Sequence, residues 1–242
     1  MLKTEGRVFC TQLSQALDVS EHTIRRDLQD LAREGVCRRV HGGAVSVLPA
    51  AADFQARLDQ GRAVKELLGE ASARLFRAGA CVFIDAGTTN LAVARALPPE
   101  LAITAVTNTP AIAAALLEHP AVEVITLGGR LNPRTGGAVG ITALQQLQGM
   151  HFDLCMLGAC ALDAESGLTV FEFDDAEFKR ALVARCEQVV VALTANKTPG
   201  AARYHVADCA SITDLVLAAD TPEEKIAPFA DQGMTIHRAA PR

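Results

Sequence analysis

The sequence predicts an α/β protein in two parts: a small helical head carrying a wing, and a larger body built on an open, largely parallel sheet. Three observations predict it. Residues 19–43 read VSEHTIRRDLQDLAREGVCRRVHGG, a capped amphipathic helix followed by a strand and a Gly-Gly turn. From residue 81 onward, short continuous apolar runs alternate with helical patterns, as strands buried on both faces do. Between the two regions, residues 46–53 (SVLPAAAD) hold a proline and small residues and read as a linker.

At 242 residues the chain is long enough to bury a sizeable core. Half of it is apolar, which excludes a disordered chain, yet no apolar run reaches the length of a membrane span. The opening MLKTEGRVFCTQLSQ lacks the basic-then-apolar layout of a secretory leader, so the cytoplasm is the expected compartment. Seven cysteines form no CxxC pair and fall mostly in apolar segments such as CVFI and FDLCMLGAC. Buried free thiols are expected there, with no metal centre. The formal net charge of −5 divides unevenly: residues 1–47 carry seven Lys and Arg against six Asp and Glu, and the remainder is acidic. Contact with nucleic acid depends on a local basic patch rather than on the whole-chain sum.

In the head, residues 12–17 support a short helix, with Thr11 as its cap and Leu13, Ala16 and Leu17 facing inward. A turn at Asp18 and Val19 leads to Ser20, the cap of a second helix that runs to about Glu34 and stops at Gly35. Ile24, Leu28 and Leu31 share one face and are expected to pack against the first helix. Two helices joined this tightly, the second bearing arginines, form a helix-turn-helix pattern suited to reading DNA. Ser20, His22 and Thr23 stand at its amino end, where backbone donors meet phosphate and side chains reach base edges. Arg25 and Arg26 point about 100° apart, so one is expected in the groove and the other on the backbone, in either order. Residues 36–40 suit a strand and Gly42 and Gly43 a wing turn, which places Arg38, Arg39 and His41 against phosphates or the minor groove. Asp27 and Asp30 are expected to make local ion pairs.

TIRRDLQDLAREG followed by RVHGGA resembles the winged helix-turn-helix signature of the DeoR family of bacterial repressors. The resemblance makes the helix beginning at Ser20 the recognition helix and assigns residues 38–43 to the wing. Members of that family carry a further helix before the position of Gly6, where this sequence has only MLKTE. The head is therefore expected to lack a first helix, to expose apolar surface, and to bind DNA less well than an N-terminally extended form.

The linker is followed by a helix expected from about Arg57 to near Gly79, bracing head against body, with Lys65 and Glu66 on its surface. Strands are expected at 81–84, 103–107, 122–127, 152–157, 189–193 and 212–218, with helices at 90–97, 110–117, about 142–147 and about 174–186. Sheets of this kind bind ligands beyond the carboxyl ends of their strands, and polar groups gather there. Asp85 with Gly87, Thr88 and Thr89 follows the first strand, Thr107 and Asn108 end the second, Gly128-Gly129-Arg130 follows the third, and Lys197 follows a later one. A lysine, an arginine, an aspartate and Gly/Thr loops suit a small phosphorylated polyol. Asp174, Asp175 and Glu177 begin a helix, where acidic residues are electrostatically favoured, and no catalytic or metal-binding set stands out.

DAGTT, VTNTPAIA, LGGR, GLTVFEFDDAEFKR and the Lys197 loop are similar to the effector-sensing domain of the same family, a fold related to sugar-phosphate isomerases. The resemblance implies a sensor for a phosphorylated sugar or sugar-derived metabolite, without catalysis or cofactor. It points to Asp85, Gly87, Thr88, Thr89, Asn108, Gly129, Arg130 and Lys197 as effector contacts, with Glu177 and Lys179 lining the site or supporting it. Thr194 stands where many members have an aspartate, so the effector is not transferred from a relative. The expected division is a DNA-binding head at 1–47, a linker at 48–62 and an effector-sensing body at 63–242. The expected protein is a homo-oligomeric repressor of double-stranded operator DNA, released by its metabolite. A sugar-phosphate isomerase-like enzyme and a partner-dependent regulatory subunit are the alternatives.

Overall fold

The computed structural model describes residues 1–49 and 52–241; residues 50 and 51 of the expected linker lie outside the described residues. The head contains helices Leu2–Glu5, Cys10–Leu17 and Glu21–Arg33 and an antiparallel sheet in the order Arg7–Phe9, Gly43–Ser46, Cys37–Val40. Asp18, at φ 52°, makes the tight turn between the second and third helices. Ser20 caps the recognition helix, its Oγ accepting from the Thr23 amide at 3.1 Å. Gly43 permits the close approach of the wing to the first strand, because a Cβ there would lie 1.9 Å from Val8 O.

Val8, Cys10, Ile24, Leu28, Cys37 and Ala44 form the head's buried core, with Leu2, Leu13, Leu31 and Ala32 packed against it. Two expectations are corrected. Ala16 and Leu17 face solvent, Leu17 being 59% exposed. The helix starts at Cys10 with Phe9 at its cap position, so Thr11 lies inside it rather than capping it. Strand Arg7–Phe9, three residues with one buried side chain, is too short to register as a periodic pattern.

Seven parallel strands form the body's main sheet, in the order Thr235–Ala239, Asp214–Ala218, Cys186–Leu193, Phe152–Met156, Cys81–Ile84, Ile103–Thr107, Val122–Thr126. Alternate side chains enter opposite cores, which is why the central strands read as unbroken apolar runs. Phe83, Cys155, Val191 and Leu217 meet Phe178 and Leu182 of helix Phe173–Val183 on one face. Val82, Ile84, Met156, Val190 and Val216 meet Leu68, Leu91, Ile112 and Leu116 on the other. A small antiparallel sheet, Ala161–Asp163, Gly167–Val170 and Tyr204–Ala207, sits beside the main one.

The single bracing helix expected from Arg57 is two helices, Phe54–Arg57 and Arg62–Ala73, separated at Gly61, whose φ of 61° suits glycine. Lys65 is buried rather than on the surface, its Nζ donating to Arg57 O at 2.5 Å. The start of the expected linker is paired. Ala201 N donates to Ser46 O at 3.0 Å, Leu48 N donates to Ala201 O at 2.9 Å, and Val47 forms a parallel bridge with Ala201. Backbone hydrogen bonding to a distant segment overrides the composition of 46–48.

Candidate functional site

The chain runs outward from strand Cys81–Ile84 through Ile103–Thr107 to Val122–Thr126, then returns to place Phe152–Met156 on the other side of Cys81–Ile84. This reversal opens a crevice beyond the carboxyl ends of the two central strands. Residues 86–90 form one wall, Gly158, Ala159 and Cys160 another, and Lys197, Lys179, Asp175, Thr135 and Arg57 close the cavity.

Beneath it lies a buried ion-pair triad. Lys179 Nζ donates to Asp85 Oδ2 and to Asp175 Oδ1, both at 2.7 Å, and Asp85 Oδ2 also accepts from the Gly158 amide at 2.8 Å. Burial works against the Lys179 charge, but the two carboxylates outweigh it and hold the ammonium firmly protonated. Burial pushes the Asp175 carboxyl upward despite Lys179. Asp85 Oδ1 is buried without a partner among the described residues. Gly158 is needed for the walls to meet, since a Cβ on it would lie 2.2 Å from Ala86 O. Asn90 Nδ2 donates to Asp85 O and Met156 O, both at 2.9 Å, tying the two strand ends together.

Lys197 and Arg57 differ from Lys179 in having no carboxylate partner among the described residues. Lys197 Nζ donates to Ala159 O at 2.9 Å. Burial, aided by repulsion from Arg57, Lys65 and Lys179, lowers its pKa to about 8. Arg57 donates from Nε to Ala52 O at 2.9 Å and from Nη2 to Arg134 O at 2.5 Å. Facing these cations, helix Thr88–Arg95 begins at Gly87 with no side chain capping its first turn. Free amide groups and a positive helix end therefore point the same way as two incompletely answered cations, which suits a small anion.

The structure brings Gly87, Thr88, Thr89 and Lys197 together around this cavity and sets Asp85 directly beneath. It sets three other expected contacts apart. Asn108 is buried behind the wall, donating to Ala138 O at 3.1 Å and close to the backbone of Gly137. Gly129 turns the chain at φ 144° beside the hairpin that includes Ala138 and Val139. Arg130 is 80% exposed and pairs with Asp174 at 2.8 Å in a separate groove with Arg134, Phe173 and Arg203. Glu177 pairs with Arg180 at the surface. Sequence reasoning missed Arg57, Cys160 and Asp175 as lining residues. No spacing signal marks Arg57, whose place at the cavity depends on the distant Arg134 carbonyl.

On the head, His22, Thr23, Arg25 and Arg26 are exposed along the recognition helix. Arg25 pairs with Glu21 at 3.0 Å, while Arg26 has no ion-pair partner among the described residues. Asp30 pairs with Arg33, as local spacing favours. Arg39 and His41 present exposed side chains on the wing. Arg38, by contrast, reaches the body, where its Nη2 donates to Ala202 O at 3.2 Å and Arg203 O at 3.3 Å. The His41 amide donates to Glu165 Oε2 at 2.6 Å, and Arg7 pairs with Asp163 at 3.2 Å and with Glu165. In this conformation the recognition helix is open and the wing is held against the body.

A capped, arginine-bearing helix-turn-helix joined to a parallel α/β body with a cationic cavity at its switch point defines a DNA-binding transcriptional regulator that senses a metabolite. Residues 1–49 match the DeoR-like helix-turn-helix domain and residues 61–219 the DeoR C terminal sensor domain, and the chain belongs to the DeoR family. It is 37% identical to the HTH-type transcriptional regulator GlpR of Haloferax volcanii, over 88% of this chain and 85% of that one. Identity to the glycerol-3-phosphate regulon repressor of Escherichia coli K12 is 31%, over 81% of this chain and 79% of that one. Among solved structures, ribose 5-phosphate isomerase A of Methanocaldococcus jannaschii overlaps 57% of this chain and 55% of its own, with a TM-score of 0.42 and 12% identity.

Proposed function

We propose that this protein is a repressor whose heads bind double-stranded operator DNA and whose body binds a phosphorylated sugar or sugar-derived metabolite that releases it. The observation that carries the reading is Lys197, an ammonium answered only by a carbonyl, facing an uncapped helix start across a switch-point cavity. The names of the relatives, one a glycerol-3-phosphate regulon repressor, support the same effector chemistry. In this reading the body acts as a sensor rather than a catalyst, in keeping with relatives named as transcriptional regulators and repressors.

In this reading residues 1–47 read DNA, 48–62 form the joint and 63–242 sense the effector. Ser20, His22, Thr23, Arg25, Arg26, Arg38, Arg39 and His41 contact the operator, and Asp85, Gly87, Thr88, Thr89 and Lys197 hold or support the effector, with Asn108 and Gly129 behind the cavity wall and Arg130 outside it in its own groove. One head is a small interface for specific recognition, and a homo-oligomer presenting paired heads to two half-sites meets that need. The protein works in the compartment that holds the chromosome, the cytoplasm. Repression relieved by effector requires only that the metabolite favour a state that fits DNA poorly.

Fluorescence anisotropy on DNA upstream of the protein's own gene, at fixed physiological salt and with a panel of sugar phosphates, tests the reading. Specific binding released by one compound is the expected result. Turnover of a sugar phosphate without release of DNA would overturn it.

A further inference from the structure

Arg57 enters the cavity from the segment that joins head to body. It ends the short helix Phe54–Arg57, whose other end is pinned by Phe54, buried under Gly136 so closely that a Cβ there would lie 2.6 Å from its ring. Lys65, in the next helix, holds the Arg57 carbonyl. A guanidinium carries five N–H groups in a rigid fork. Here two of them are spent, both on carbonyls.

Across the same cavity, Lys197 is likewise answered only by a carbonyl. Burial lowers the proton affinity of both, and Arg57 makes Lys197 costlier still to keep charged. Lys179, a third cation lining the cavity, shows the alternative, with two carboxylates built around it. An arginine fork and an ammonium, neither ion-paired, face a cavity whose one lining carboxylate, Asp175, is held by Lys179, and together they match the geometry of a doubly charged, three-oxygen anion.

We propose that Arg57 is a direct ligand of the effector's phosphate, so that the joint between head and body is itself one wall of the sensing site. The inference rests on the reading of this cavity as the effector site. It narrows the effector to a phosphomonoester that reaches Arg57 and Lys197 together. It also gives the joint a reason to register occupancy, because an empty cavity leaves the helix Phe54–Arg57 held by Phe54 and a few carbonyl contacts.

The test is calorimetric titration of the full-length protein with inorganic phosphate, in wild type, Arg57→Gln, Arg57→Lys, Lys197→Gln and the exposed control Arg130→Gln. Wild-type hydrogen exchange over residues 52–58 is followed with and without phosphate. The expected result is a Kd weakened at least tenfold by Arg57→Gln, less by Arg57→Lys, and unchanged by Arg130→Gln, with phosphate slowing exchange in the joint. The exchange measurement needs no variant and decides the matter if Arg57→Gln misfolds. Loss of binding in Lys197→Gln alone, or exchange in 52–58 untouched by phosphate, would overturn the role of Arg57 while leaving the site standing. Absence of phosphate binding by the wild type would overturn both.

Discussion

The body buries apolar side chains on both faces of seven parallel strands, whereas the head's buried core comes down to Val8, Cys10, Ile24, Leu28, Cys37 and Ala44. The head also leaves Phe9, Leu17 and Val19 exposed at 40%, 59% and 38%. What it lacks in buried area it recovers in contacts with the body: Arg7 on Asp163 and Glu165, Arg38 on two carbonyls, and residues 46–48 on Ala201. The position of the head and its stability are therefore coupled. A frame with its own core can bind a ligand without rearranging, while an element that leans on that frame can be moved by it.

The largest effect expected to separate the two regions is in the body. Replacing Lys179 by Met strips the counter-charge from two buried carboxylates, and a stability loss of about 3–5 kcal/mol is expected in urea unfolding. The loss deepens from pH 5 to pH 8, because buried carboxyls left unpaired have raised pKa values and the folded state then favours their protonated forms. A loss below about 1 kcal/mol would mean that the triad is not what frames the cavity.

Leu28→Ala in the head removes one of its few buried side chains, at a local cost of about 2–5 kcal/mol. Operator binding is expected to vanish while the main thermal transition, carried by the body, stays put. A main transition that falls with the variant would break the comparison and make head and body one folding unit.

Anion binding at the cavity is expected to weaken roughly tenfold between pH 7 and pH 9 as Lys197 loses its proton around pH 8. The sign follows from the group: burial lowers its pKa, Cys160 opposes that, the cations Arg57, Lys65 and Lys179 lower it further, and only the ammonium form attracts the anion. A phosphomonoester titrates near pH 6 and contributes little change across this range, so a sugar phosphate rather than inorganic phosphate is the probe for this profile. Calorimetry in two buffers of different ionisation enthalpy should detect proton uptake on binding near pH 8; none would remove Lys197 from the contact.

The smallest expected effect is at the latch. Glu165→Gln loosens Arg7 and the His41 amide from the body at about 0.5–1 kcal/mol, and operator affinity is expected to rise two- to fivefold. Unchanged or weaker DNA binding would show that the wing's hold on the body does not compete with the operator.

Much of this arrangement was legible in the sequence where local chemistry decides structure. Ser20 before Ile24, Leu28 and Leu31 specified a capped amphipathic helix, and unbroken runs such as CVFI could be satisfied only between two layers of helices. Strand Thr235–Ala239 was not legible, because an edge strand with mixed burial, TIHRA, carries no apolar run. Arg57 escaped for a different reason: its partner Arg134 O lies 77 residues away, and proximity of that kind leaves no trace in spacing. Arg130 misled in the opposite direction, since a Gly-Gly-Arg after a strand looks like an anion loop, yet the hairpin carries the side chain outward to Asp174.

The stretch from Lys197 to Arg203 carries the ammonium that faces the cavity at one end and the carbonyls that hold Arg38 at the other, with Ala201 paired to Ser46 and Leu48 between them. Its length is thus a calibrated property, like the throw of a crank, rather than a tolerance of the surface. One extra residue between Lys197 and Ala201 is expected to slip the pairing of Ala201 with Ser46 and Leu48 relative to Lys197, and so to weaken the effect of either ligand on the other.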